Sequence, residues 1–212
     1  MSRPAPQVSL KSEANPWSER LDDGVVLMYL TTASTKAEQL IQRWIDDDVV
    51  DDGEEAVFAM VILDPTRPRG QLTISERIVA YVLFGDPEEA MKCLPNAAAK
   101  ADATDRHGVP NGKLVAEESY TLGNGDFAWG NAAMYGEAIA AGSGLSQEQD
   151  EAVALLVLTH VMDAVHGATQ QWLPERRQDG NSQSWSNRAS KPGNDYRLVL
   201  AGHSWRSPSF NS

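Results

Sequence analysis

The chain has 212 residues, 42% of them hydrophobic and 23% charged, so it is long enough to bury its own core without disulfide bonds. Its net charge of −12 repels nucleic acid and anionic membrane surfaces, so we expect neither as a partner. Cys93 is the single cysteine, and neither a leader-like apolar segment nor a run of about 18 apolar residues occurs, which predicts a cytoplasmic protein.

The N-terminal region combines a polar arm with a helix. Residues 1–20 contain three prolines and predict a flexible arm that packs on the domain through Trp17. Residues 25–31 are apolar and suit either a strand or the core of a helix. Thr35 and Glu38 have the spacing of a capping box, which predicts that a helix begins at Thr35.

Two apolar runs predict neighbouring strands. Residues 57–63 and Ile78–Phe84 have the length and content of buried strands, and we expect them to pair as a hairpin with an enlarged loop. Asp86, followed by proline, predicts the start of a helix that continues to about residue 106. Pro95 should kink or split this helix.

The region after this helix is rich in turn residues. Residues 107–112 predict a loop, and residues 113–120 suit either a strand or irregular structure. Residues 134–141 predict one strand, which ends in a Gly-Ser-Gly turn. We therefore expect few regular elements between the two flanking helices.

The last predicted helix begins with a capping box formed by Ser146 and Gln149, and its apolar residues continue to about residue 171. Residues 173–212 form a polar, Trp-containing extension in which residues 196–201 suit a last strand. The main domain is therefore predicted over residues 21–172, between the N-terminal arm and this extension.

Three blocks of sequence occur in an order that resembles a known family. They are FAMVILD with IVAYVLFGDPEEA, then AAAKADAT, then AIAAGSGLSQEQDEAVA. Together they resemble the GlcG/HbpS-like haem-binding family, which also includes the C-terminal domain of PduO-type proteins. The likeness covers about residues 35–160, and the chain departs from the family pattern at residues 123–137.

The resemblance implies an α/β fold of the α+β type. This would be a three-layer sandwich with a mainly antiparallel sheet of about five strands flanked by helices, often as a homo-oligomer. Family members bind or degrade haem, or accompany corrinoid and small-acid metabolism. The resemblance therefore implies haem as a possible cofactor, and it brings no invariant set of catalytic residues.

A basic group lies at the end of the helix that follows the second strand. His107 could ligate haem iron or act as an acid or base, although a surface histidine is the plainer interpretation. Lys100 and Arg106 could form a cationic patch for haem propionates or a carboxylate ligand, or could be ordinary helix-surface cations.

Further candidates surround the glycine-rich segment. Asp126 could serve, as an alternative to His107, as an acid or base. Trp129 and Tyr135, with other nearby aromatic residues, could line a flat apolar pocket or belong to the core or a subunit interface. Ser143 lies in the Gly-Ser-Gly turn, whose N–H groups could hold an anion, although a tight turn explains both glycines without a ligand.

Two other features favour structural roles. His160, Asp163 and His166 form an HxxDxxH pattern, but its histidines lie on different sides of a regular helix, so we expect a surface cluster and no metal site. Cys93 has apolar neighbours in a predicted helix and is expected to be a buried structural residue.

Three hypotheses about function remain open. The first is a small-molecule binding protein that takes haem or a similar flat ligand. The second is an enzyme that acts on a hydrophobic pathway intermediate in an aromatic pocket, with His107 or Asp126 as acid or base. The third is an assembly protein that forms homo-oligomers through a sheet edge or the C-terminal extension.

Overall fold

The computed structural model divides the chain into two compact units, Met1–Ala168 and Thr169–Ser212. It describes residues 4–11, 15–18, 20–50, 56–67, 69–123, 126–128 and 130–178. The boundary between the units lies inside the last helix, four residues before the predicted end of the main domain at residue 172. Trp129 and the predicted strand at residues 196–201 lie outside the described residues.

A five-stranded sheet forms the centre of the first unit. Every neighbouring pair of strands is antiparallel, and the spatial order is β1-β3-β2-β5-β4. All residues of the central strands β2 and β5 are buried, as expected for strands covered on both faces. The strands are β1 (Gln7–Leu10), β2 (Phe58–Leu63), β3 (Ile78–Phe84), β4 (Ala132–Tyr135) and β5 (Ala138–Ser143).

Helices cover both faces of this sheet. Alternate residues of β2 point in opposite directions, so Phe58, Met60 and Ile62 join one apolar cluster while Val61 and Leu63 join another. The first cluster includes side chains of α1 and α5, and the second includes side chains of α3. The helices are α1 (Asp23–Asp46), α2 (Ile74–Arg77), α3 (Pro87–His107), α4 (Asn111–Glu117) and α5 (Gln147–Gln178). The predicted α+β three-layer sandwich is confirmed.

The N-terminal segment is an ordered part of the sheet. Gln7–Leu10 pairs with β3 in antiparallel register, so the prediction of a flexible arm is wrong for these residues. Trp17 is only 5% exposed and belongs to the apolar cluster of α1, which confirms that the segment packs through this side chain. A strand of four mixed residues is too short to show a clear alternating pattern in sequence.

Helix α1 begins twelve residues earlier than the capping pattern at Thr35 predicts. The Asp22 carboxylate accepts a hydrogen bond from the Val25 N–H and caps the helix. Thr35 is inside the helix, where its hydroxyl donates to the Thr31 carbonyl. Of the two structures left open for residues 25–31, the helix is correct, because Leu30 continues the buried stripe of α1.

The hairpin and the start of the helix after it agree with the sequence, whereas the split predicted at Pro95 does not occur. Strands β2 and β3 pair directly, and the long connection between them contains the short helix α2. The Asp86 carboxylate accepts from the N–H groups of Glu88 and Glu89 and begins α3. Helix α3 is continuous through Pro95 and ends at His107, with Gly108 in the left-handed conformation (φ 73°). His107 is therefore helical rather than part of a loop.

Two predictions between α3 and α5 are wrong. Residues 113–120 are mostly helical, since α4 ends at Glu117 and a 3₁₀ turn follows at Ser119–Thr121. Leu114 is a fully buried apolar side chain of α4. The single strand predicted over residues 134–141 is a tight hairpin of β4 and β5. Gly136 makes the reversal possible, since its φ of 62° is unfavourable for residues with a side chain.

Helix α5 begins as the sequence predicts. The N–H of Gln149 donates to the Ser146 hydroxyl, and the Ser146 N–H donates to the Gln149 side chain, which confirms the capping box. The helix extends beyond residue 171, to Gln178. The stretch Gln147–Gln171 is long and apolar enough to cross a membrane, a property that core helices share. The buried face of α5 packs on the sheet.

Candidate functional site

A cleft of about 750 Å³ opens beside the turn that joins β5 to α5. Helix α3 provides one wall, and Phe127, which precedes β4, contributes an aromatic ring. The opposite wall is residues 143–148 with Asp150. A volume of this size is sufficient for a small organic ligand.

Helical spacing explains the first wall. Cys93, Asn96 and Lys100 follow one another at intervals of three and four residues, so they share one face of α3. Asp86 and the Glu residues of the first turn determine where α3 begins, and the helix carries this face past the end of β5. The local sequence therefore positions all three side chains.

A buried ion pair forms the floor of the cleft. Lys100 Nζ donates to Asp150 Oδ2 at 2.6 Å and to the Gly142 carbonyl at 2.8 Å, and both charged side chains are 3% exposed. Burial raises the pKa of Asp150, and the Lys100 ammonium offsets this only in part. Gly130 passes so close that a Cβ there would lie 2.5 Å from Lys100 Nζ.

The glycines of the turn are required by packing. A Cβ at Gly142 would lie 2.1 Å from the Phe58 ring, and one at Gly144 would lie 2.1 Å from the Val57 carbonyl oxygen. Gly144 also has a φ of 130°, which side-chain-bearing residues rarely adopt. A tight turn therefore accounts for both glycines without a ligand.

Three N–H groups at the start of α5 are already engaged. Leu145 donates to Asp150 Oδ1 at 3.0 Å, and Ser146 and Gln149 cap each other as described above. These bonds satisfy donors that would otherwise attract an anion. The hydrogen bonding of the turn thus does not support the predicted anion site.

A second polar cluster lies at the C-terminal end of α3. His107 Nε2 is 3.3 Å from Asp126 Oδ2, and Arg106 forms a close ion pair with the other oxygen of Asp126. Burial raises the pKa of Asp126. Hydrogen bonds from the Gly123 N–H, Arg106 and His107 lower this pKa by more than burial raises it, so the net shift is downward. Asp126 is therefore an ionised anchor.

Asn111 connects this cluster to the cleft. Its side chain is fully buried, and Nδ2 donates to the carbonyls of Phe127 at 3.0 Å and Gly130 at 2.9 Å. Its backbone N–H donates to the Thr104 hydroxyl. Asn111 thus holds the backbone at Phe127 and Gly130. The sequence indicates only a turn at this position, because both carbonyl partners come more than fifteen residues later.

A second buried ion pair was not foreseen from the sequence either. Arg77 and Asp105 are 2.8 Å apart, with side chains 1% and 3% exposed. Asp105 also accepts from the Gly70 N–H, so it joins α3 to the connection between β2 and β3. Its position on α3 turns it away from the residues that line the cleft, which favours a structural role.

Comparisons with protein-family models, with curated proteins and with solved structures find no match for this chain. The resemblance to the GlcG/HbpS-like family therefore remains a prediction, and the geometry of the site has to be interpreted from the chain itself.

The structure separates the predicted site residues into groups. Lys100 and Ser143 line the cleft. Arg106, His107 and Asp126 form the second cluster, outside the residues that line the cleft. Tyr135 belongs to neither group, since it is 44% exposed and its hydroxyl donates to Asp163 at 2.9 Å.

The histidines of α5 do not converge. His160 is exposed and its Nδ1 lies 2.9 Å from the Leu156 carbonyl of its own helix, while Asp163 is bonded to Tyr135. Within the part of the chain that the structure describes, no group of three or more His, Cys, Asp or Glu side chains could hold a metal ion.

The residues of the cleft do not fit a haem that is held through its iron. Such a haem needs an axial side chain. The thiol of Cys93 is the soft candidate in the described lining, but burial, and then the charge of Asp150, raise its pKa and disfavour the thiolate. His107 lies outside that lining. The sequence predicts that Cys93 is a buried structural residue, and it is half-buried against the apolar cluster of Ala59, Leu83 and Ala90.

Proposed function

We propose that this chain is a small-molecule binding protein and that the cleft beside the β5–α5 turn is its binding site. The observation that carries the proposal is the cleft of about 750 Å³ above the buried Lys100–Asp150 pair. Binding pockets of this kind typically measure about 300–1,000 Å³ and combine apolar walls with a few oriented polar groups.

The cleft has both components. Phe127 and Leu145 supply apolar surface, while Asn96 and Ser143 supply hydrogen-bonding groups. The ion pair beneath them is rigid, because each partner is buried and Lys100 is bonded to the β5 backbone as well. A rigid floor reduces the entropy lost when a ligand binds.

Haem is the ligand that the family resemblance implies, and hemin is therefore the first probe. We would titrate the purified chain with hemin and follow the Soret band in the unaltered protein and in His107→Ala, Cys93→Ser and His160→Ala variants. A saturable band that depends on Cys93 would support haem binding in the cleft, whereas a band that depends on His107 would place the haem outside the cleft. A flat titration, unchanged among the variants, would exclude haem.

Other ligands are tested by native mass spectrometry of the freshly purified protein. Ser143 lies on the wall of the cleft and is 8% exposed, so a tryptophan at this position would take up ligand space. A co-purified mass that is lost in a Ser143→Trp variant would therefore support binding in the cleft. Retention of the same mass in that variant would contradict the choice of site. Tyr135→Trp, which changes an exposed residue outside the cleft, is the matched control.

The second candidate is an enzyme on the same scaffold, which acts on a hydrophobic intermediate. It is favoured by the contact between His107 and Asp126, because a neighbouring carboxylate orients an imidazole for proton transfer. The His107 side chain is 21% exposed and can reach solvent. An aromatic pocket for such an intermediate is supported by Phe127, which lines the cleft, but not by Tyr120, which is 83% exposed.

A His107→Gln variant separates the two candidates. An enzyme should lose turnover of its substrate in this variant while the cleft still binds small molecules. An unchanged rate would contradict the role of His107 as acid or base. A third possibility, assembly into homo-oligomers through a sheet edge, is tested by light scattering, for which a monomer would be the contrary result.

A further inference from the structure

The charged groups of the cleft point to one class of ligand. This inference rests on the proposed binding function and narrows it. Among the described residues that line the cleft, Lys100 is the single cation, and its charge is cancelled by Asp150 at 2.6 Å. An anionic ligand would have to compete with the Asp150 carboxylate for a lysine that is 3% exposed.

The start of α5 is no better as an anion site. Asp150 and Gln149 already accept the N–H groups of Leu145 and Ser146. The carboxylate that fills this position is part of the protein itself, so the partial positive charge of the helix end is used internally.

An unpaired carboxylate remains at the rim. Glu148 lines the cleft and is exposed, and it forms no ion pair with any residue that the structure describes. The charged side chains of the described lining therefore carry one net negative charge. The N-terminus of α5, equivalent to about half a positive elementary charge, reduces this negative charge but does not reverse it. The net charge of −12 on the whole chain adds a field that attracts cations.

Phe127 supplies the complementary surface. The face of an aromatic ring attracts organic cations, and an ammonium group can at the same time approach a carboxylate. The hydrogen bond from Asn111 to the Phe127 carbonyl holds the backbone of Phe127 at the wall of the cleft. We propose that the cleft binds an organic ammonium compound, with its cationic group between Glu148 and the ring of Phe127.

The test uses three compounds of the same shape and different charge. Choline, 3,3-dimethylbutan-1-ol and 3,3-dimethylbutanoate are cationic, neutral and anionic, and each would be titrated into the full ¹⁵N-labelled chain at low salt. Shifts of the backbone amides of residues 143–150 would report binding. We expect choline to bind about two- to fivefold more tightly than the alcohol, as for an exposed ion pair, and the anion most weakly.

Two variants locate the effect. Glu148→Gln should remove the preference for choline, whereas Glu88→Gln should retain it. Glu88 is the matched control, because it is an exposed glutamate in the first turn of α3 and lies outside the cleft lining. Raising the salt concentration to about 0.5 M should also reduce the preference, since it screens exposed charges.

The outcomes distinguish the ligand class from the binding function. If the alcohol or the carboxylate bound as tightly as choline, or if Glu88→Gln had the effect of Glu148→Gln, the ammonium proposal would be wrong while the cleft remained a binding site. If none of the three compounds shifted the amides of residues 143–150, the ammonium proposal would be wrong, whereas the binding function is decided separately by the native mass spectrometry of the unaltered chain and Ser143→Trp.

Discussion

The Lys100–Asp150 pair is the residue-scale feature on which the cleft depends. Both side chains are almost completely buried, and the Lys100 ammonium also holds the end of β5 through the Gly142 carbonyl. Burying two charges is costly, and their attraction compensates only while both are present. The pair therefore contributes more to the shape of the site than to net stability.

We expect Lys100→Met to lower the free energy of unfolding by about 3–5 kcal/mol, because Asp150 would be left as an unpaired buried carboxylate. The double variant Lys100→Met/Asp150→Leu should recover most of this loss. Urea unfolding measures the free energy of unfolding of the single and the double variant. Lys113→Met, at an exposed lysine of α4, is the control and should change stability by less than about 0.5 kcal/mol. A double variant no more stable than the single one would contradict this account.

Asp126 makes stability depend on pH. Its pKa is lowered in the folded protein, so its stabilisation is present above the unfolded-state pKa of about 3.9 and is lost as the pH falls through the lower folded-state value. Asp126→Asn should therefore be less stable than the unaltered chain at pH 7, and the difference should shrink below about pH 4.

Thermal unfolding at a series of pH values measures this difference. Asp102→Asn is the matched control, because Asp102 also pairs with Arg106 but belongs to the same helix and does not hold the segment around Asp126. An equal difference between Asp126→Asn and the unaltered chain at pH 7 and pH 3 would contradict the assignment.

The element that shapes the site is the turn between β5 and α5. Its backbone runs directly against β2, so there is no room for a side chain at Gly142 or Gly144. This close approach, together with the capping box of Ser146, determines where α5 begins and hence where Glu148 lies at the rim of the cleft.

Gly144→Ala should cost about 3 kcal/mol or more in unfolding free energy, because the new Cβ would meet the backbone of Val57 and Phe58 and the φ of 130° would be strained. Gly167→Ala should instead stabilise the chain by about 0.5–1 kcal/mol, since Gly167 is helical and has open space around it. Chemical denaturation of both variants measures the contrast, and equal effects at the two positions would refute the packing argument.

In the fold as a whole, the apolar core meets solvent at the edges of the sheet. Strand β1 covers the edge of β3, and the register from Gln7 opposite Leu83 to Leu10 opposite Ala80 leaves no gap between them. An uncovered β3 would present unpaired backbone groups next to apolar side chains, which favours association between chains.

Deletion of residues 1–11 should therefore destabilise the chain and cause it to aggregate, whereas deletion of residues 1–5, which ends before β1, should have little effect. Urea unfolding and light scattering measure the two outcomes. A soluble and equally stable product of the longer deletion would show that β1 is dispensable.

The elements whose evidence is local can be predicted from the amino-acid sequence. Strands β2 and β3 are continuous apolar runs, and the starts of α3 and α5 depend on side chains within three residues of each helix end. Lys100 and Ser143 were also predicted as site residues, and both line the cleft. Such features can be recognised because a cap or a buried run acts over only a few neighbouring positions.

Only the tertiary structure decided what these residues do. Lys100 could be predicted as a cation for an anionic ligand, but its charge is cancelled by Asp150, 50 residues later in the chain. The partners of Asn111 and of Asp105 are likewise distant in sequence, and β1 becomes a strand because it covers β3. The physical reason is that burial, pairing and charge cancellation depend on which segments meet in space, and a local pattern carries no information about that meeting.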